Sequence, residues 1–142
     1  IHENGLGPGA LRLELTESVL LDNFELGSDL LRRFKEVGAS VVIDDFGTGY
    51  SSLTYLHRLP VDGLKIDKSF VSLLDGTPKG SAMINTILSL ARFYNVDVVA
   101  EGIETVAQRD ELVRIGAKLA QGYLFARPCP AGDATQLIER AR

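Results

Sequence analysis

A chain of 142 residues, 45% hydrophobic and 24% charged, suits one soluble domain with a real core. Its net charge of −4 argues against a general nucleic-acid or anionic-membrane surface, and a single cysteine, Cys129, excludes an intrachain disulfide and points to a reducing compartment. No apolar run reaches the roughly 18 residues of a membrane span, no signal peptide opens the chain, and Ile1 in place of a methionine points to further residues upstream.

Taken in order, residues 1–10 hold three glycines and a proline and read as a connector. Residues 11–17 alternate apolar and polar side chains, which is the period of a strand. Ser28 is positioned to cap a helix whose inward face carries Leu30, Leu31, Phe34 and Val37, with Gly38 as its stop. The apolar run Val41, Val42, Ile43 predicts a buried strand from about residue 40 to Asp44. Residues 53–59 read as a short helix ended by Pro60, and residues 63–67 as the third strand. Ser81 is the expected cap of the next helix, with Met83, Ile84, Ile87, Leu88, Ala91 and Tyr94 on its buried stripe and Asn95 as its stop. Residues 97–101 form the fourth strand. Thr105, with Gln108 three residues on, makes a capping box for a helix that runs to Ile115 and stops at Gly116. Residues 118–121 are the fifth strand, and a final helix spans about residues 131–142.

Five strands alternating with helices demand a parallel sheet covered by helices. Two architectures compete, an open doubly wound sheet and a closed barrel. Each strand ends in a residue that can bind a metal or handle a proton: Glu14, Asp44 with Asp45, Lys65 with Asp67, Glu101 and Gln121. In an open sheet only the strands beside the switch point share a crevice, whereas in a barrel every strand end meets at one mouth. The pattern therefore predicts an α/β fold of the (β/α)8, TIM-like barrel type. Such a barrel has eight strands in about 250 residues, so about three strands are expected upstream of the five present.

Four carboxylates at one mouth, Glu14, Asp44, Asp45 and Glu101, suit two hard cations such as Mg²⁺ or Mn²⁺. Metals about 3.5–4 Å apart activate the attacking oxygen in phosphoester hydrolysis. Lys65 is placed to orient a water or offset phosphate charge, and Gln121 to hold a water or a ligand oxygen. Each residue also has a structural alternative. Glu14 could face solvent, Lys65 could be a salt-bridge partner, Glu101 before Gly102 could be a turn carboxylate, Gln121 a plain strand-end amide, and one aspartate a turn cap. All of these would have to hold together at successive strand ends. In the loop over residues 46–53, Gly47 and Gly49 permit tight backbone, and Thr48, Ser51 and Ser52 can tie the loop to itself. Glu17 could accept hydrogen bonds from that loop, or balance charge near a helix start. His2 and His57 have no partner pattern and read as non-catalytic.

The segments Glu14-Leu15-Thr16-Glu17, Asp44-Asp45-Phe46-Gly47-Thr48-Gly49-Tyr50-Ser51-Ser52-Leu53, Lys65-Ile66-Asp67, Glu101-Gly102-Ile103-Glu104-Thr105 and Gln121-Gly122-Tyr123-Leu124-Phe125 closely resemble the EAL family of bacterial cyclic di-GMP phosphodiesterases. The resemblance runs from about Leu11 to the end of the chain. It implies a (β/α)8-type barrel that hydrolyses cyclic di-GMP to linear 5'-pGpG with two Mg²⁺ or Mn²⁺ ions. By matching motif it implies Glu14 as a ligand of the first metal, Asp44 as the bridging ligand and Asp45 as a ligand of the second. It implies Lys65 as the water-orienting lysine, Glu101 as a catalytic glutamate that binds metal or acts on the water, and Gln121 as a residue near the attacking water. Glu17 resembles the glutamate that anchors the loop after the aspartates, and Glu104 a supporting acid of the second site. The resemblance also implies a homodimer through that loop; the net charge, the lone cysteine and the lack of an apolar span lead to the expectation of a cytoplasmic setting (with any membrane anchor in other domains of the parent), no DNA or RNA polymer as partner and no membrane contact from this segment.

The Glu-Ala-Leu motif that names the family is absent from the sequence, as is the asparagine-bearing strand that follows it in relatives. Both supply first-metal ligands in the family. Residues 1–142 are accordingly expected to be the C-terminal portion of an EAL domain, inactive alone. The alternative is a non-catalytic cyclic di-GMP receptor or protein-interaction module that kept the fold.

Overall fold

The computed structural model describes residues 5–48 and 56–140. Five strands, β1 (Arg12–Thr16), β2 (Ser40–Phe46), β3 (Gly63–Ile66), β4 (Asp97–Ala100) and β5 (Leu119–Ala120), form one sheet. They lie in sequence order and every neighbouring pair is parallel. The register sets Glu14 opposite Val42, Thr16 opposite Asp44, Lys65 opposite Val99 and Ala100 opposite Ala120.

The period of two along each strand divides the sheet into two chemically different faces. Val41, Ile43, Leu64, Ile66, Val98 and Ala100 join the main apolar cluster with Leu31, Ile84, Ile87, Leu88 and Leu112 from the helices. Burying a Leu or Ile of this kind stabilises the fold by roughly 1.5–3 kcal/mol. On the opposite face the same strands carry Glu14, Val42, Asp44, Lys65 and Val99. Polar residues that would be costly against the helices are thus collected on the inner face of the sheet.

The helices are α1 (Glu17–Asp22), α2 (Phe24–Glu36), α3 (Lys68–Val71), α4 (Pro78–Tyr94), α5 (Val106–Arg114) and α6 (Ala131–Arg140). Two of them, α1 and α3, have no counterpart in the sequence pattern, being too short to show a helical period. Helix α2 begins upstream of the expected cap. Asn23 caps it, its side chain accepting from the Leu26 N–H at 3.3 Å, while Ser28 lies inside the helix, 2% exposed. Its inward face is also narrower than the pattern suggests, since Leu30 and Val37 are exposed and Leu31 alone of the four is fully buried.

Helix α4 shows the same displacement. Thr77 caps it, Pro78 occupies the first turn, and the buried Ser81 hydroxyl donates back to the Thr77 carbonyl at 3.3 Å. Met83, expected inside, is exposed. Asn95 does end the helix, in the left-handed conformation at φ 54°. The Thr105–Gln108 capping box is formed in both directions. Of the short helix expected over residues 53–59, residues 53–55 lie outside the described ones, Leu56 is helical and residues 57–58 form a turn. Helix α6 buries none of its residues. Among the described residues no helix is long and apolar enough to cross a membrane.

At the N-terminal edge of the sheet, Asp62 accepts a hydrogen bond from the Val41 N–H at 2.7 Å and pairs with Lys35 at the end of α2. This ties α2, β2 and β3 together on the side away from the polar strand ends.

Candidate functional site

The two aspartates of β2 cannot both face inward from a regular strand, because successive side chains point to opposite faces. The chain resolves this with an irregularity. The pairing of β2 with β3 shifts between Ile43 and Phe46, and Asp45 takes a left-handed φ of 53°. Aspartate tolerates that conformation better than most residues. The Asp45 N–H donates to Asp44 Oδ1 at 3.0 Å, and the Thr48 hydroxyl donates to the Asp45 carbonyl at 2.9 Å. The turn brings carboxylate oxygens of Asp44, Asp45 and Glu101 within 4.8 Å of one another.

Lys65 rises from the centre of the sheet into this group. Its ammonium donates to Glu14 Oε2 at 2.6 Å and lies 2.6 Å from Glu101 Oε1 and 3.3 Å from Asp44 Oδ1. The lysine side chain is 8% exposed. Gln121 Nε2 donates to the same Glu101 oxygen at 2.6 Å. Burial opposes the Lys65 charge, but hydrogen bonds to Glu101 and Glu14, with the nearby charge of Asp44, outweigh it and hold Lys65 above the ordinary lysine value. Glu101 also moves up: burial raises it, Lys65 pulls it down, and the negative charges of Asp44 and Glu14 add to the rise. The two shifts point to one cause. A single ammonium serves three carboxylates, so the lysine is over-satisfied and the glutamate under-compensated.

Glu17, buried at the start of α1, accepts from the Gly47 N–H through Oε2 at 3.2 Å. It thus joins the end of β1 to the turn after Asp45. Glu14 lies outside the three-carboxylate group and is linked to it through Lys65. Glu104 is exposed; it lines the adjoining cleft, and its backbone N–H donates to Gln108 Oε1 at 2.9 Å. Asp67 caps α3 by accepting from the Ser69 N–H at 3.0 Å. His57 is exposed and takes no part, and His2 lies outside the described residues.

A cleft of about 660 Å³ opens beside these groups, lined by Asp45, Asp67, Lys68, Glu101, Gly102, Glu104, Gln121, Tyr123 and Arg127 among others. Lys68, Tyr123 and Arg127 were not singled out by the sequence pattern. The Arg127 guanidinium stacks over the Tyr123 ring at 4.7 Å. Tyr123 lies within the segment 121–125 that carries the family resemblance, and Lys68 and Arg127 follow strand ends by two and seven residues. Gly122 is required here: a Cβ would lie 2.2 Å from the backbone N and O of Ile103.

A family model described as the EAL domain matches residues 1–128. The chain belongs to the EAL family. A curated relative of this EAL chain, the cyclic di-GMP phosphodiesterase NbdA of Pseudomonas aeruginosa, is 41% identical over 142 residues, which is 100% of this chain and 18% of that protein. The chain thus spans about a fifth of the length of such relatives. Among solved structures, the PaMucR phosphodiesterase of Pseudomonas aeruginosa in complex with c-di-GMP superposes with a TM-score of 0.87 at 41% identity, covering 94% of this chain and 54% of that one. Klebsiella pneumoniae BlrP1, as its manganese and cy-diGMP complex, superposes with a TM-score of 0.83 at 33% identity, covering 90% and 33%. The parallel sheet is therefore part of the TIM-like barrel of EAL domains, of which this chain holds five strand–helix units.

The BlrP1 complex contains manganese, and the donor set here suits a divalent cation. Asp44, Asp45 and Glu101 offer only hard carboxylate oxygens, and those oxygens are close enough to share an ion. The charge imbalance around Lys65 calls for further positive charge in the same place.

Proposed function

We propose that the EAL domain to which this chain belongs hydrolyses cyclic di-GMP to linear 5'-pGpG. The observation that carries this reading is the convergence of Asp44, Asp45 and Glu101 within 4.8 Å, beside a buried lysine and a cleft of about 660 Å³. The names of the relatives NbdA and PaMucR, and the c-di-GMP bound in the latter, support the same substrate.

In this reading Glu14, Asp44, Asp45 and Glu101 hold two divalent cations, Mg²⁺ or Mn²⁺; the manganese in the BlrP1 complex supports that choice. When bound, such ions polarise the phosphodiester and acidify the attacking water. Lys65 orients that water and offsets charge gathering on the phosphate. Glu101 holds a cation or acts on the attacking water. Gln121 fixes the Glu101 carboxylate and stands beside the same water. Glu17 anchors the turn after Asp45, and Glu104 supports the second cation from the cleft wall. The loop after Asp45, residues 49–55 of which lie outside the described ones, is the proposed homodimer contact, and the cytoplasm the proposed site of action.

The chain alone is expected to be inactive, because its first-metal ligands are incomplete without the Glu-Ala-Leu segment. The test is to incubate cyclic di-GMP and Mn²⁺ with the 142-residue chain and with its full-length parent, separating pGpG chromatographically. Hydrolysis by the parent alone is expected. Robust turnover by the chain would sink the inactivity reading, and a parent that binds the dinucleotide without cleaving it would establish the receptor alternative.

A further inference from the structure

The Lys65 ammonium has three protons to donate, and three carboxylates surround it. Glu14 Oε2 and Glu101 Oε1 are each 2.6 Å away and Asp44 Oδ1 is 3.3 Å away, all around a side chain only 8% exposed. Glu101 Oε1 also receives Gln121 Nε2 at 2.6 Å, so this one oxygen already accepts two short bonds. Asp44 and Glu101 are at the same time two of the three carboxylates gathered within 4.8 Å. The ammonium and a cation in that group would draw on the same two side chains.

We propose that Lys65 is a resident counter-ion that divalent metal displaces. Without metal it holds the ends of β1, β2 and β4 together against the mutual repulsion of Glu14, Asp44 and Glu101. Metal loading takes Glu101 and Asp44 from it. The lysine thereby sets the metal concentration at which the site fills, a role separate from orienting water. The inference rests on the reading of Asp44, Asp45 and Glu101 as cation ligands. Its physical basis is direct. An ammonium beside a divalent ion opposes its binding, and solvent screening at the open mouth reduces that opposition.

The test uses the full-length parent and no dinucleotide. Wild type, Lys65→Met and Lys68→Gln are stripped with chelator, melted, and titrated calorimetrically with Mn²⁺. Lys68 lines the same cleft and controls for a general change of charge. Lys65→Met is expected to melt lower without metal and to bind Mn²⁺ on the order of tenfold more tightly, with Lys68→Gln changing affinity by less than about threefold. In wild type, the Lys65 Nζ and Cε resonances are expected to move during a Mg²⁺ titration with the midpoint of binding, a measurement that decides the matter even where Lys65→Met fails to fold. Unchanged or weaker Mn²⁺ binding by Lys65→Met, or Lys65 resonances indifferent to Mg²⁺, would overturn the displacement. Failure of every form to bind Mn²⁺ would instead remove the cation site itself, and the displacement with it.

Discussion

Lys65 Nζ and Glu101 Oε1 lie 2.6 Å apart, joining the middle strand β3 to the residue that follows β4. Neither residue is near the other in sequence, and neither is fully compensated by the contact alone. The lysine has two further carboxylates, and the glutamate has a second donor in Gln121. The consequences of this crowding, and of the scaffold beneath it, can be measured.

Asp44 is held at once by the Asp45 N–H and near Lys65. In the full-length parent, Asp44→Ala is expected to abolish hydrolysis of cyclic di-GMP while leaving the fold intact, as read by circular dichroism and product chromatography. Retained turnover would contradict a metal-bridging role. Asp44→Ala also removes one of three carboxylates crowding the lysine, so little loss of stability is expected.

Glu17 is 6% exposed and accepts from the Gly47 N–H at 3.2 Å. Replacing it with alanine leaves that donor short of a partner and is expected to cost about 1–3 kcal/mol in urea denaturation. Glu17→Gln retains an acceptor and is expected to lose less. Equal losses in the two variants would show that charge, and not the hydrogen bond, is what the turn needs.

Gly122 packs its Cα against the Ile103 backbone. A methyl group there would sit 2.2 Å from Ile103 N and O, so the two segments after β4 and β5 must move apart. Gly122→Ala is expected to destabilise the chain by about 1–3 kcal/mol. The bond from Gln121 to Glu101 should weaken with it, and hydrogen exchange at the Ile103 N–H, which donates to the Gln121 carbonyl, reports the loosening.

Asp62 gives a pH dependence of known sign. Partial burial works against its charge, but the hydrogen bond to Lys35, the Val41 N–H and the lysine charge prevail and hold its carboxyl below the ordinary 3.8. A carboxyl depressed on folding adds stability that is fully present above its unfolded value and is lost as pH falls through its folded value. Asp62→Asn is therefore expected to flatten the acid side of the stability profile below about pH 4 and to leave its neutral shape unchanged. Steepening on the acid side would contradict the shift.

Much of this architecture is legible in the residues themselves. The apolar run before Asp44, the capping box at Thr105 and the left-handed stop at Asn95 are local signals, and each becomes the element its chemistry favours. The displaced caps show the limit of local reading. Ser28 and Ser81 have the composition of helix starts, yet Asn23 and Thr77, a few residues earlier, satisfy the free N–H groups and leave both serines to be buried in packing. A hydroxyl at a helix start and a small hydroxyl under a neighbouring helix look alike until the neighbour is in place.

Which residues stand at the strand ends is settled within short stretches of the chain, through the two-residue period and the positions of the turns. Which of them meet is settled by packing between distant elements. The left-handed turn at Asp45, the sharing of Glu101 between Lys65 and Gln121, and the placing of Lys68, Tyr123 and Arg127 along the cleft all depend on the separation and register of neighbouring strands. Those are set by apolar packing between the far face of the sheet and its helices, and no stretch of sequence carries that information alone.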